Sequence, residues 1–311
     1  MKTLEELRQY YNTTLLPELR VLEEERKKAL NKIILSATVI IPLIISLTVV
    51  FKHPFPIILG IIGIVAVVRL FTREYVKKFK VGVIEKVVTC VDGNLKYSKS
   101  GRIPQNTFTT SKLFKHRVDR YLGDDYVQGR LGQTEVEFSE IHAQYITRDS
   151  KGRRSYHTIF KGLFFVADFN KEFNGVTVVL PDVAEKMFGG LGSMFQSWNK
   201  GRGQLVKLED PEFEKMFVVY GEDQVEARYI LSTSLMRRIT DFKKKTKRQI
   251  HLSFIKSNIF VAISYQRNLF EPRIFRTLLS FVPIQQYFED LQLAVGIVGD
   301  LNLNTRIWSK R

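Results

Sequence analysis

The chain has 311 residues, 44% of them apolar and 26% charged, a composition that excludes a disordered chain and leaves room for one large or two small domains. Its formal net charge of +16 favours contact with anionic surfaces, either lipid headgroups or nucleic acid. The single cysteine, Cys90, excludes a disulfide framework within one chain, fits a reducing compartment and lies in an apolar stretch that reads as structural.

Residues 1–32 read as helix, with Leu4, Leu7, Tyr11, Leu15, Leu19 and Leu22 on one apolar stripe and Pro17 opening a second helical piece. Such a stripe either lies on a membrane, packs in a coiled coil or packs on a folded domain. From Ile33 to Phe51 there is no charged side chain, a run close to the ~20 residues that cross a hydrocarbon core of about 30 Å. A second apolar run spans Phe55–Phe71, broken only by Arg69, which can snorkel to an interface. The connection Lys52-His53-Pro54 is so short that the two helices must run antiparallel.

Bases flank this hairpin: Arg26, Lys27, Lys28 and Lys32 before it, and Arg69, Arg73, Lys77, Lys78 and Lys80 after it. The turn carries only Lys52. The positive-inside rule then places both termini in the cytoplasm of a cytoplasmic-membrane protein. A signal peptide is a poor reading because a long charged prelude precedes the apolar run. A re-entrant hairpin is the stronger rival, since Pro42 interrupts the first run.

Beyond the hairpin, Val76, Phe79, Val83 and Val87 continue a helical period. Residues 124–180 turn to strand patterning, with a basic hairpin turn at Lys151-Gly152-Arg153-Arg154 and a turn at Asn174-Gly175. These strands read as an antiparallel meander with one buried face. A small helix and the glycine-rich Gly189–Gly192 follow. Phe213–Tyr220 reads as strand, Val225–Arg238 as helix, and Ile250–Phe254 with Ile259–Ser264 as a hairpin. Ile284, Phe288, Leu291, Val295 and Val298 recur at helical spacing. The expected fold is α+β: an N-terminal helix, a transmembrane hairpin, then a mostly antiparallel sheet and a C-terminal helix. Boundaries are expected at 1–32, 33–71 and 72–311, with a subdivision near 181–205.

Recognisable catalytic chemistry is missing. The five histidines, His53, His116, His142, His157 and His251, share no metal-ligand spacing, and neither HExxH, CxxC nor GxSxG occurs. Gly189–Gly192 lacks the Lys-Ser/Thr ending of a phosphate-binding loop. No cofactor, metal or catalytic residue is therefore expected. The acids from Glu209 to Glu226 could serve an enzyme or hold a metal, but Asp210-Pro211 is turn chemistry and the acids before Val225 suit a helix N-terminus. The densest basic run is Arg237, Arg238, Lys243, Lys244, Lys245, Lys247 and Arg248. It reads either as a solvated helix end or as an attachment to anionic lipid. Aromatic interleaving there is poor, which weighs against single-stranded nucleic acid.

The stretches Thr158–Phe169, Gly175–Asp182, Leu208–Tyr220 and Asp223–Leu231 resemble a bacterial family of two-helix membrane proteins catalogued as a domain of unknown function. The resemblance extends from the anchor to about Pro272. It implies a membrane-anchored bacterial protein of a family some of whose members accompany LemA-type membrane proteins, and it carries over no catalytic residue. The expected function is a membrane-tethered binding or scaffold module that engages a protein partner or anionic lipid. The alternative is a tethered enzyme built around 209–226.

Overall fold

The computed structural model describes residues 3–182 and 203–304. The expected helix after Pro181 and the Gly189–Gly192 segment lie outside the described residues. The chain divides into two compact units, Met1–Val91 with Phe270–Glu289, and Asp92–Leu269 with Asp290–Arg311.

In the first unit, α1 (Leu4–Tyr10) opens on a capping box in which the Thr3 hydroxyl accepts from the Glu6 amide and the Glu6 carboxylate accepts from the Thr3 amide. A π-helical turn, Tyr11–Leu15, joins α1 to α2 (Leu16–Phe51), so one unbroken helix runs from Leu4 to Phe51. Pro17 sits in the first turn of α2 and Pro42 lies inside it without ending it. After the turn at Lys52, α3 (Phe55–Phe79), a second π-helical turn (Lys80–Ile84) and α4 (Glu85–Val91) form a second long helix. The two pack side by side, and at Gly60 a Cβ would fall 1.9 Å from the end of the Ile44 side chain, which would have to turn away.

Apart from Leu4, which is exposed, the N-terminal stripe is buried inside this unit, through Leu7, Tyr11, Leu15, Leu19 and Leu22. Part of what covers it is 270–289, a segment far away in sequence. Tyr11 donates to the Leu279 carbonyl at 2.9 Å and meets Phe281 edge-on at 5.2 Å. The buried pair Glu23–Arg26 ties the same two segments. Arg26 donates to both Glu23 oxygens at 2.9 and 2.7 Å and to the Ile274 carbonyl at 2.6 Å, while Glu23 accepts from the Leu278 amide at 2.9 Å.

The second unit is built on one nine-stranded sheet in the order β1-β2-β3-β4-β9-β8-β5-β7-β6. Its strands are β1 (Lys96–Ser98), β2 (Arg120–Leu131), β3 (Thr134–Arg148), β4 (Arg154–Asp168), β5 (Val176–Pro181), β6 (Gln204–Val206), β7 (Phe217–Gly221), β8 (Ile250–Ile255) and β9 (Asn258–Ser264). All pairings are antiparallel. The two strand clusters seen in sequence are thus one sheet. The meander ends at β4, because β9 and β8 lie between it and β5. Asn174-Gly175 is therefore no hairpin turn; its two amides donate instead to the Glu226 carboxylate at 2.9 and 2.8 Å.

The central strands are buried on both faces, not on one. Along β5 all six residues are inaccessible, and β8 and β9 are nearly so. One face packs Phe160, Phe164, Val178 and Phe260 against Ile103, Phe108 and Leu113, the segment that carries the short helix α5 (Gln105–Thr110). Gly162 lets β4 lie against β9: its φ is +152°, and a Cβ there would stand 2.1 Å from the Ile263 carbonyl oxygen.

Four helices complete the described chain: α6 (Pro211–Glu214), α7 (Gln224–Ile230), α8 (Thr233–Thr246) and α9 (Phe281–Asp300). The helix expected over Val225–Arg238 is two helices. It breaks at Leu231, and Ser232 caps the second by accepting from the Leu235 amide. The expected strand from Phe213 starts only at Phe217, because Asp210 and Pro211 open a helical turn first.

The Glu23–Arg26 pair yields a stability test. Arg26→Met leaves a buried carboxylate unpaired and is expected to cost about 3–5 kcal/mol, whereas Arg26→Met with Glu23→Leu should recover most of that loss. Hydrogen bonds from Arg26 hold the Glu23 carboxyl below its ordinary range. The pair's contribution is thus present above the ordinary carboxylate range and lost as pH falls through the lowered value. Thermal melts of the detergent-solubilised chain over an acid pH series check both.

Candidate functional site

The basic run predicted from sequence lies on α8 and just beyond it. The helix buries Leu235, Met236, Ile239 and Phe242, which turns most of its bases outward. They do not form a free cluster. Lys244 meets Glu212 at 2.6 Å and Lys245 meets Asp300 at 2.7 Å. Lys243 donates to the Arg248 carbonyl, and burial lowers its pKa. The Arg248 guanidinium sits 3.9 Å from the Tyr265 ring centroid, and Arg238 reaches the Asp300 carbonyl at 3.5 Å. Among the described residues, only Arg237 and Lys247 of the seven make no such contact. Lys247 ends the helix in the left-handed conformation, with its amide on the Lys243 carbonyl.

The acidic segment is committed to the backbone. Asp210 caps α6, accepting from the Glu212 and Phe213 amides at 3.0 Å each. Asp223 caps α7, accepting from the Val225 and Glu226 amides at 2.7 and 3.1 Å. Glu214 accepts from the Leu208 amide at 2.8 Å and Glu222 from the Val176 amide at 3.1 Å. With Glu226 on the Asn174 and Gly175 amides, these carboxylates fix loop geometry.

The histidines divide. His116 and His157 both stack on Tyr145, at 4.4 and 4.8 Å between centroids, and His157 Nε2 lies 2.8 Å from the Thr147 hydroxyl. His142 lies 3.2 Å from the Thr158 hydroxyl, and burial with Lys161 and Arg120 nearby lowers its pKa. His251 packs on Phe114 at 5.3 Å. Cys90 is buried, which suits the structural reading.

Two features escaped the site residues drawn from sequence. One is a polar concavity of about 700 Å³ lined by Lys96, Arg130, Glu135, Glu137 and Asp168 among others, where the Tyr126 hydroxyl donates to Glu137 at 2.6 Å. Its charges are of both signs. The other is the tip of the β3–β4 hairpin, where Arg148, Lys151, Arg153 and Arg154 are exposed. The run Lys151–Arg154 was legible as a basic turn. Its isolation depends on which strands flank it, and those lie elsewhere in the sequence.

Residues 158–303 match a family model described as protein of unknown function, DUF3137. The match begins in β4, takes in α8 and the acidic caps, and runs past Pro272, the limit expected from the resemblance. It lies wholly beyond the hairpin, so it carries neither membrane character nor a link to LemA-type proteins. No curated protein matches the chain. Among solved structures, that of the mycobacterial trehalose monomycolate transport factor A is similar at 11% identity, with a TM-score of 0.34 over 67% of this chain and 93% of that one. A likeness of that degree carries no argument here.

If the acids are caps and not poised catalytic groups, Asp210→Ala and Asp223→Ala should each destabilise the protein by about 1 kcal/mol. Urea melts of the full chain in detergent measure this. Unchanged or raised stability would return these carboxylates to the list of functional groups.

Proposed function

We propose that the chain is a membrane-anchored binding module whose helical hairpin crosses the bilayer twice and whose sheet-containing unit, with both termini, stands on the cytoplasmic side of a bacterial membrane. One observation carries the reading. The two long helices are apolar enough to cross a membrane, yet only 6% of the most apolar window of each is buried in the protein. A core helix of a soluble protein would bury most of that surface.

The flanking charge supports the orientation. Lys28, Lys32, Arg69, Arg73 and Lys77 are exposed, available to an anionic leaflet, while exposed Lys27 and Lys78 meet Glu24 at 3.0 Å and Glu25 at 2.5 Å. Two flanking bases counted in the sequence have structural duties instead: Arg26 pairs with Glu23, and buried Lys80 pairs with Glu271 at 2.8 Å. A binding role in place of catalysis is supported by the duties of the acids between 209 and 226. The binding surface would be basic and would include Arg237 and Lys247. Anionic lipid or a membrane protein such as a LemA-type partner would suit it.

Leu43 and Ile62 are exposed near the middle of the two apolar runs, so replacing them disturbs contact with lipid and not the internal packing. The full chain should stay in the membrane pellet at alkaline carbonate pH. Leu43→Arg with Ile62→Arg, at about 2.5–3.5 kcal/mol of insertion cost each, should release it or block insertion. Release of the unaltered chain by carbonate would overturn the reading.

A further inference from the structure

Strands β3 and β4 outrun their neighbours. The last β2 partner of β3 is Arg120, opposite Gln144, and the last β9 partner of β4 is Ser264, opposite Gly162. Between Tyr145 and Phe160 the two strands are hydrogen-bonded in the sheet only to each other. A lone two-stranded ribbon is marginal in water, so something must stiffen it. The stack of His116 and His157 on Tyr145 does so at its base, and Asp119 accepts there from the Ile146 amide at 2.8 Å. At the tip, the Asp149 carboxylate accepts from the Lys151 and Arg153 amides at 2.9 and 2.8 Å.

The ribbon's charge is left unanswered. Arg148 stands directly opposite Arg154 across the strands, an arrangement that costs stability on its own account. Among the described residues, Arg148, Lys151 and Arg154 make no ion pair. Arg153 lies 4.0 Å from Asp149, and Arg117, with its side chain 93% exposed, lies 3.8 Å from Asp119. Both contacts are at the limit of an ion pair. The bases of α8 differ, since most of them have partners within the fold.

We infer that this ribbon is the surface by which the second unit docks on an anionic bilayer. The inference rests on the membrane-anchored reading above, because Asp92 follows directly on Val91 and the second unit is thereby tethered to the anchor. Charge complementarity supplies the attraction, and a tip of exposed bases needs no shaped pocket to exert it. Single-stranded nucleic acid fits less well. It calls for free aromatic faces, and here Tyr145 carries two imidazoles while the Arg120 guanidinium lies 5.5 Å from the Tyr156 ring centroid.

The test places the full chain in nanodiscs of neutral lipid or of neutral lipid mixed with phosphatidylglycerol, and follows hydrogen exchange of residues 145–157. Co-elution with the discs reports on the anchor separately, so failure of the anchor and failure of the ribbon are told apart. The expected result is slower exchange in the ribbon in anionic discs only, lost in high salt. It should also be lost in the variant Arg148→Gln, Lys151→Gln, Arg153→Gln, Arg154→Gln, with binding weakened about fivefold per base removed. The variant with lysine at the three arginine positions keeps the charge and should keep the protection. Equal exchange in both discs would overturn the inference. So would protection that disappears in Arg237→Gln with Lys247→Gln but survives in the ribbon variant. Protection conferred in neutral discs by a single-stranded oligonucleotide, and not by anionic lipid, would overturn it in favour of nucleic acid.

Discussion

Apolar surface facing outward is the constraint on which the rest of this chain depends. Ile34, Leu35, Val39, Leu43, Val49 and Val50 on α2 are exposed, as are Ile58, Leu59, Ile61 and Ile62 on α3. In water each square ångström of such surface costs roughly 25 cal/mol, and a contiguous band of it invites aggregation. In a bilayer the cost vanishes. The hairpin also needs little packing between its helices there, which agrees with a close approach at Gly60 and few buried side chains elsewhere along the spans. Below the spans the chemistry changes. The buried Glu23–Arg26 and Lys80–Glu271 pairs, and aromatic contacts such as Tyr11 with Phe281, knit the helix stems to 270–289.

The second unit solves a different problem. The centre of this nine-stranded antiparallel sheet is buried on both faces and needs strands that are mostly apolar, and β5, β8 and β9 carry few polar side chains. Its loops are held by carboxylates that accept from backbone amides, as Asp210, Asp223, Glu222 and Glu226 do within Glu209–Glu226. What remains uncommitted is largely positive.

The hairpin was legible because an absence of charge over a membrane's thickness is a local signal. So were β8 and β9, joined by a short turn, and the acidic start of the helix after Asp223, whereas Asp210-Pro211 read only as a turn. Pairings between distant segments were not legible. Nothing near Asn174-Gly175 indicates that β9 and β8 will come between β4 and β5, and continuous apolar strands do not by themselves reveal burial on two faces. The basic run on α8 looked free because Glu212 and Asp300, its partners, lie 32 and 55 residues away from the lysines they meet. The exposed ribbon was hidden for the opposite reason: its isolation is a property of the strands that stop short of it.

The most direct test of the membrane-spanning claim is labelling of single cysteines with a membrane-impermeant maleimide, in a Cys90→Ser background, on intact and permeabilised bacterial cells expressing the full chain. Lys52→Cys reports on the turn of the hairpin and Lys28→Cys on its stem. The account expects Lys52→Cys to react from outside intact cells and Lys28→Cys to react only after permeabilisation. Reaction of both sites only after permeabilisation would contradict a double crossing and place the turn on the same side as the termini.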